Sequence, residues 1–311
     1  MLIDINSINS AVKLDAAKYI ESCDENFNRR ISDAANLIEE KMKIGPLVLL
    51  SGPTASGKTT SALMIAEALR EKGINAHTVS LDDYFNDVEP GVTPMSEDGG
   101  YDFESPLCLD LPLLDEHFDA LSRGEGIDVP SFDFPTQKRK RGVTHHIDAG
   151  KDRIVIFEGI HALGELVGGR HPEATRVFVN AASDIVKEGE PCFYGRRIRL
   201  ARRLMRDYRV RGATPEYTLE LWDNVRKNEI KNILPAAETA DLVIDSTLGY
   251  EVGVMKTVAM PMLRAVSPYA NRYNQVAEMI ERFELFEEID PALVPPSSLL
   301  REFIGGGLYT E

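Results

Sequence analysis

The sequence predicts an α/β fold, a parallel sheet flanked by helices, with helical extensions at both ends. Three observations lead there. Leu47, Val48, Leu49 and Leu50 form a run that is apolar at every position, as in a strand buried on both faces. Further short apolar runs recur at 76–80, 153–157, 176–179 and 242–244, separated by stretches with helical spacing, and that alternation builds a doubly wound sheet. Between the first run and the next helix lies a glycine-bearing turn at 52–59, as a backbone needs when it must approach a ligand closely.

In chain order, residues 8–44 read as helix, with Val12, Ala16 and Tyr19, then Ile31, Ala34, Leu37 and Ile38, set among charges. Gly45-Pro46 ends that stretch, so an N-terminal helical extension spans 1–44 and the main domain 45–250. A helix is expected over 59–71, stopped by Gly73, with the second strand at 76–80. Residues 86–100, rich in Pro, Gly, Asp and Glu, should form an exposed flap, followed by a helix over 111–123. The strands at 153–157 and 176–179 precede a helix over 197–210, and 242–244 is the last strand. The C-terminal extension, 251–311, holds a helical stretch around 275–286 and ends in SSLLREFIGGG, to which the local pattern assigns no role.

Composition narrows the function. The chain has 311 residues, 43% hydrophobic and 27% charged, which suits a folded globular protein. Its formal charge of −15 disfavours a nucleic-acid coat, since such binding relies on Lys and Arg neutralising phosphates. Cys23, Cys108 and Cys192 are odd in number and widely spaced, which points to a reducing, cytoplasmic setting without a disulfide framework or structural zinc. No apolar stretch reaches the ~20 residues of a membrane span, so no membrane partner is expected.

The turn itself, Gly52, Pro53, Thr54, Ala55, Ser56, Gly57, Lys58, Thr59 and Thr60, fits the pattern G-x-x-x-x-G-K-[ST] in its required strand-to-helix context. Backbone N–H groups turned inward and a helix N-terminus would cradle phosphates. Lys58 would reach the outer phosphates of ATP, and the Thr59 hydroxyl would ligate Mg²⁺. The fold expected is therefore of the P-loop NTPase type, which fixes a nucleotide and leaves the reaction open.

Carboxylates just beyond strand ends decide between reactions, because ligands of open α/β sheets sit there. Asp82 and Asp83 follow the second strand, and Glu158 follows the third. Asp82 is assigned to deprotonating an acceptor hydroxyl, with a place near the metal, and Glu158 to binding Mg²⁺ or its water. A turn or cap role is the plainer reading of the Asp pair.

Residues 196–211 contain eight arginines. Ile198, Ala201, Met205 and Tyr208 should form an apolar stripe, leaving Arg199, Arg203 and Arg206 on an exposed cationic face that closes as a lid over the transferring phosphoryl. The run 138–141, KRKR, reads equally as an anion site or a solvated hairpin turn, and His145-His146 as surface. His161 lies near the expected pocket without an assigned role.

The ordered set GPTASGKTT, VSLDDYF, YDFESP, PSFDFPTQKR, IVIFEGIHAL, RRLMRDYRVRG and ILPAAETADLVI resembles the uridine kinase and phosphoribulokinase family over about residues 45–250. The tail through REFIGGG is similar to that of bacterial uridine kinase-like proteins, which often carry a threonyl-tRNA synthetase-like front half; the expectation is the kinase part without it. The resemblance implies a Mg²⁺-dependent ATP:nucleoside kinase acting on a small molecule, with Asp82 as base, Lys58, Arg203 and Arg206 as catalytic cations, and Glu158 at the metal. It places Tyr84, Glu104, Phe132, Gln137, Arg203 and Arg211 at the substrate, Glu104 at the ribose hydroxyls. Phe132, Gln137, Leu221 and Ala213 depart from the residues that uridine kinases carry there, so the ribose end matches better than the base end. Pantothenate or sugar-phosphate acceptors remain open, as does a nucleotide-binding regulatory or RNA-associated protein, and self-association is left open.

Overall fold

The computed structural model describes residues 2–95, 99–148, 150 and 153–309. Its centre is a sheet of five parallel strands, β1 (Leu47–Ser51), β2 (Asn75–Ser80), β3 (Arg153–Glu158), β4 (Thr175–Asn180) and β5 (Leu242–Asp245), in the order β5-β4-β1-β3-β2. Register sets Leu50 beside Glu158 and Glu158 beside Ser80, so the carboxyl ends of β1, β3 and β2 form one edge.

Both sheet faces are apolar, which is why the strands read as continuous runs. Val48, Leu50, Ile154, Ile156, Val177 and Val179 enter one core, whereas Leu47, Leu49, Val155, Phe157 and Phe178 enter the other. The first core includes α1 (Ile5–Lys41) and α2 (Lys58–Glu71) and continues without a break to Phe303. The second is covered by α3 (Leu111–Ser122).

α1 starts earlier than expected, capped by Asp4, and breaks at Asp15, which has φ −164° and ψ 93° and whose carboxylate accepts from the Lys18 N–H. An aspartate that supplies a cap inside the helix turns one periodic stretch into two helices end to end. The arginine-rich helix is α4 (Gly195–Arg211), ended by Gly212 at φ 63°, and α5 (Pro215–Asn228) follows. Past the sheet come α6 (Glu251–Arg264) and α7 (Tyr273–Glu284), then a single turn at Arg301–Ile304.

The flap at 86–100 is irregular as expected, and its residues 96–98 lie outside the described residues. The basic run at 138–141 belongs to a hairpin in which Phe132–Asp133 pairs with Lys138–Arg139. It is no anion site at Arg139, whose guanidinium binds Asp110 at 2.9 Å and the carbonyls of Tyr84 and Phe85. A small sheet missed by the sequence reading joins Leu2–Asp4, Asp184–Lys187 and Glu190–Phe193. Among the described residues no helix is long and apolar enough to cross a membrane.

Candidate active site

The turn after β1 is shaped by two close approaches. A Cβ on Gly52 would lie 2.0 Å from the Val179 carbonyl oxygen, and Gly57 sits at φ 85° with its Cα facing Leu299. Ala55 also adopts a left-handed conformation, φ 56°, uncommon for a residue with a Cβ. Such alternation makes consecutive N–H groups converge into an anion nest. α2 begins at Lys58 behind an N-cap glycine, Gly57, that offers no side-chain cap, so its first N–H groups remain for a ligand. These features fit a polyphosphate.

Inward N–H groups leave the loop's carbonyls facing outward, and buried carbonyls need donors. The donors come from α4. Arg199 Nη1 donates to Thr54 O at 3.0 Å, and Arg202 Nη1 to the Ala55 and Ser56 carbonyls at 3.3 Å each. Both side chains are buried and answered by buried carboxylates: Arg199 by Glu229 at 2.5 and 2.9 Å, Arg202 by Glu251 at 2.6 and 3.0 Å. Arg199 is thus no part of an exposed lid face. It and Arg202 brace the phosphate loop from behind. Tyr208, expected in the apolar stripe, is 57% exposed, whereas Leu204 is buried in its place.

Arg203, Arg206 and Arg211 gather around Asp207 in the C-terminal half of the helix, whereas Arg197 pairs with Glu278. Arg203 is buried, with Nε donating to Asp207 Oδ2 at 3.2 Å, and Arg211 Nη1 reaches Asp207 Oδ1 at 3.0 Å. Arg206 lies 3.8 Å from Asp207 and 3.9 Å from Glu302, and its Nε has no hydrogen-bond partner. Partial burial and then the charges of Arg206 and Arg203 lower the Arg211 pKa, against Asp207 and Asp82. Asp82 therefore shares the electrostatic neighbourhood of the C-terminal end of α4.

Asp82 is exposed, in a turn of 3₁₀ helix (Leu81–Tyr84) whose N-cap Ser80 accepts from the Asp82 N–H. This meets the cap reading of the pair at the backbone and leaves the carboxylate at the edge. β2 is two strands from β1, a separation of about 10 Å. Between them Glu158 Oε1 accepts from Thr59 Oγ1 at 3.0 Å. One hydroxyl and one carboxylate suffice for Mg²⁺, which takes most of its remaining oxygens from phosphates and water. No cluster of three or more His, Cys, Asp or Glu stands at metal-binding spacing among the described residues.

Glu104 is drawn into the same site. Burial raises its pKa, assisted by Glu229, while Arg203, a hydrogen bond from Asn228 at 3.3 Å and Lys58 oppose the rise. His161, buried beneath it, donates from Nε2 to the Glu104 carbonyl at 2.7 Å; burial lowers its pKa to about 4, with Lys58 adding to the fall. Neither Asn228 nor the role of His161 could be read from local sequence, because each acts through Glu104, 124 and 57 residues away.

Not every expected substrate residue faces the edge. Tyr84 is fully buried, its hydroxyl 2.7 Å from His117 Nδ1, and packs on Phe157. It is a core residue and leaves the substrate group. Phe132 is buried against Phe85 and Phe134, with ring centroids 5.5 and 5.1 Å away. Gln137 is exposed in the hairpin turn at φ 55°, its carbonyl accepting from the flap's Val88 N–H at 3.1 Å. A small open cleft at the flap is lined by Phe85, Asn86, Val88, Val92, Phe103 and Leu107.

The sequence profile of the Phosphoribulokinase / Uridine kinase family matches residues 47–187. A uridine kinase of Deinococcus deserti is 30% identical over 226 residues, which are 71% of this chain and 95% of that protein. The chain belongs to the phosphoribulokinase/uridine kinase family. Another relative, a uridine kinase of Vibrio campbellii, is 30% identical over 202 residues, 64% of this chain and 85% of that one. The mouse uridine-cytidine kinase-like 1 is 29% identical over 206 residues, which cover 66% of this chain and 34% of that larger protein. Family membership makes the phosphate loop that of a kinase.

Proposed function

We propose that this chain transfers the γ-phosphoryl group of ATP to the 5′-hydroxyl of a nucleoside, with uridine or cytidine as the leading acceptors. One observation carries the reading: the sheet's carboxyl edge joins a phosphate loop, the Thr59–Glu158 pair and Asp82, with Glu104 held beside Lys58 and Arg203. In this reading Asp82 takes the proton of the acceptor hydroxyl as the new P–O bond forms, and Lys58 meets the negative charge on the transferring group. Thr59 and Glu158 would hold Mg²⁺, which when bound neutralises charge across the outer phosphate oxygens. Arg203, Arg206 and Arg211 supply cations from the lid end of α4, and Glu104 accepts from the ribose hydroxyls while His161 and Asn228 keep it in place.

The base end favours a second reading in one respect. Phe132 offers a ring and no hydrogen bond, so the site can take an acceptor without a pyrimidine edge, such as pantothenate or a sugar phosphate. An ADP-release assay with nucleosides, pantothenate and sugar phosphates separates the two. Turnover confined to the nucleosides supports the first reading, and turnover with none of them removes it.

A further inference from the structure

The C-terminal motif finds its place at the phosphate loop. Leu299 is buried within contact of Gly57, where a Cβ would stand 2.6 Å from its Cδ1. Phe303 is buried under the Arg202 guanidinium, 5.0 Å from ring centroid to Cζ. Arg301 ties the segment to itself through the carbonyls of Pro291, Val294 and Gly305. Glu302 then faces the start of α2: its Oε2 accepts from Thr60 Oγ1 at 2.6 Å, its Oε1 lies 3.9 Å from Arg206 Nη1, and its carbonyl accepts from Arg209 at 3.0 Å.

We propose that the segment 298–305 forms a third wall of the donor-phosphate site, and that Glu302 is a positioning residue which holds the lid arginine Arg206 beside the phosphate loop. The proposal rests on reading Gly52–Thr59 as that donor site. Thr60 follows the metal-binding hydroxyl in the first turn of α2, and its single hydroxyl proton is committed to Glu302. That bond fixes one carboxylate oxygen and aims the other at Arg206. An ion pair at 3.9 Å is longer than a charge-assisted hydrogen bond, so the guanidinium is kept near without being consumed, and its Nε is left without an acceptor. A phosphate oxygen arriving at the loop would find the cation already gathered, its side-chain freedom partly removed before binding.

The test is a double-mutant cycle on MgATP affinity, measured by calorimetry without acceptor, so it does not depend on what the acceptor is. Glu302→Gln keeps an acceptor for Thr60 and deletes the charge facing Arg206. It should weaken MgATP binding about fivefold to tenfold in the otherwise native protein and less than twofold in the Arg206→Ala background, with thermal unfolding little changed. Glu302→Asp should recover part of the affinity. Equal losses in both backgrounds would mean a general structural contact, and tighter binding by Glu302→Gln would mean that the carboxylate competes with phosphate; either result overturns the proposal. A wild-type protein that binds MgATP yet phosphorylates no nucleoside defeats the nucleoside assignment and leaves this test intact, whereas failure to bind MgATP defeats the donor site and this proposal together.

Discussion

Replacing Arg202 by Met should separate the stability of this fold from its hold on nucleotide. Arg202 has no exposed surface and binds Glu251, Ser246, Ala55 and Ser56. Its removal leaves the Glu251 carboxylate buried and held by the Leu248 N–H, and breaking one side of a buried pair costs about 3–5 kcal/mol. The Ala55 carbonyl loses its donor as well, at about 1 kcal/mol or more, whereas Ser56 keeps the Ser246 hydroxyl at 2.6 Å. A loss of about 4–6 kcal/mol is expected by urea unfolding, or roughly 10 °C in Tm at about 2 °C per kcal/mol. Adding Glu251→Gln retains an oxygen for Leu248 and removes the stranded charge, so about 2 kcal/mol should return. MgATP affinity should remain about tenfold below wild type in both variants, because neither restores a donor to the loop. Stability changes below about 1 kcal/mol, or a double variant that recovers nucleotide affinity with stability, would refute the idea that Arg202 braces the loop.

Three further predictions concern the carboxyl edge. Glu104→Gln should raise the acceptor KM about tenfold to a hundredfold and leave MgATP affinity unchanged. Because burial raises the Glu104 pKa, the folded state holds that proton more tightly than the unfolded chain and loses stability as pH rises past the ordinary carboxylate range; the Gln variant should therefore melt higher at neutral pH. His161 behaves in the opposite sense: with its pKa lowered to about 4, its contribution is complete above pH 6.5 and is lost as pH falls toward 4, by at most about 3 kcal/mol, and His161→Gln should flatten that part of the stability–pH curve. Glu158→Gln should raise the Mg²⁺ concentration needed for half-maximal turnover and lower kcat at least tenfold, with nucleotide binding in EDTA unchanged.

The strands and the phosphate loop were legible because their signals are local. A strand buried on both faces is apolar at each position, and the loop's glycines occupy sites that a Cβ would obstruct. The arginine helix was misjudged for the opposite reason. Its partners Glu229 and Glu251 lie 30 and 49 residues away, so a window on the helix shows eight positive charges and none of the buried carboxylates that pair with two of them. α6 was missed because its first five residues, Glu251 to Met255, are all buried, it includes Pro261 and it has no side-chain cap, which obscures both periodicity and start signal. The hairpin between Asp184–Lys187 and Glu190–Phe193 turns through Glu188 at φ 55° and Gly189 at φ 87°, a signal present in the Glu-Gly pair but weaker than Asn-Gly or Asp-Gly. Tyr84 shows how adjacency misleads: it stands two residues from Asp82, yet the 3₁₀ turn sends one side chain to solvent and the other into the core.

In the proposed mechanism the Asp82 carboxylate activates an alcohol facing the triphosphate bound at Gly52–Thr59. The most direct test is the transfer of labelled γ-phosphate to uridine and cytidine by the wild type and by Asp82→Asn, with phosphorus NMR of the product. The expected result is a nucleoside 5′-monophosphate from the wild type, a kcat about 10²–10⁴ lower for the variant, and equal MgATP affinity for both. Transfer by Asp82→Asn at the wild-type rate would contradict it.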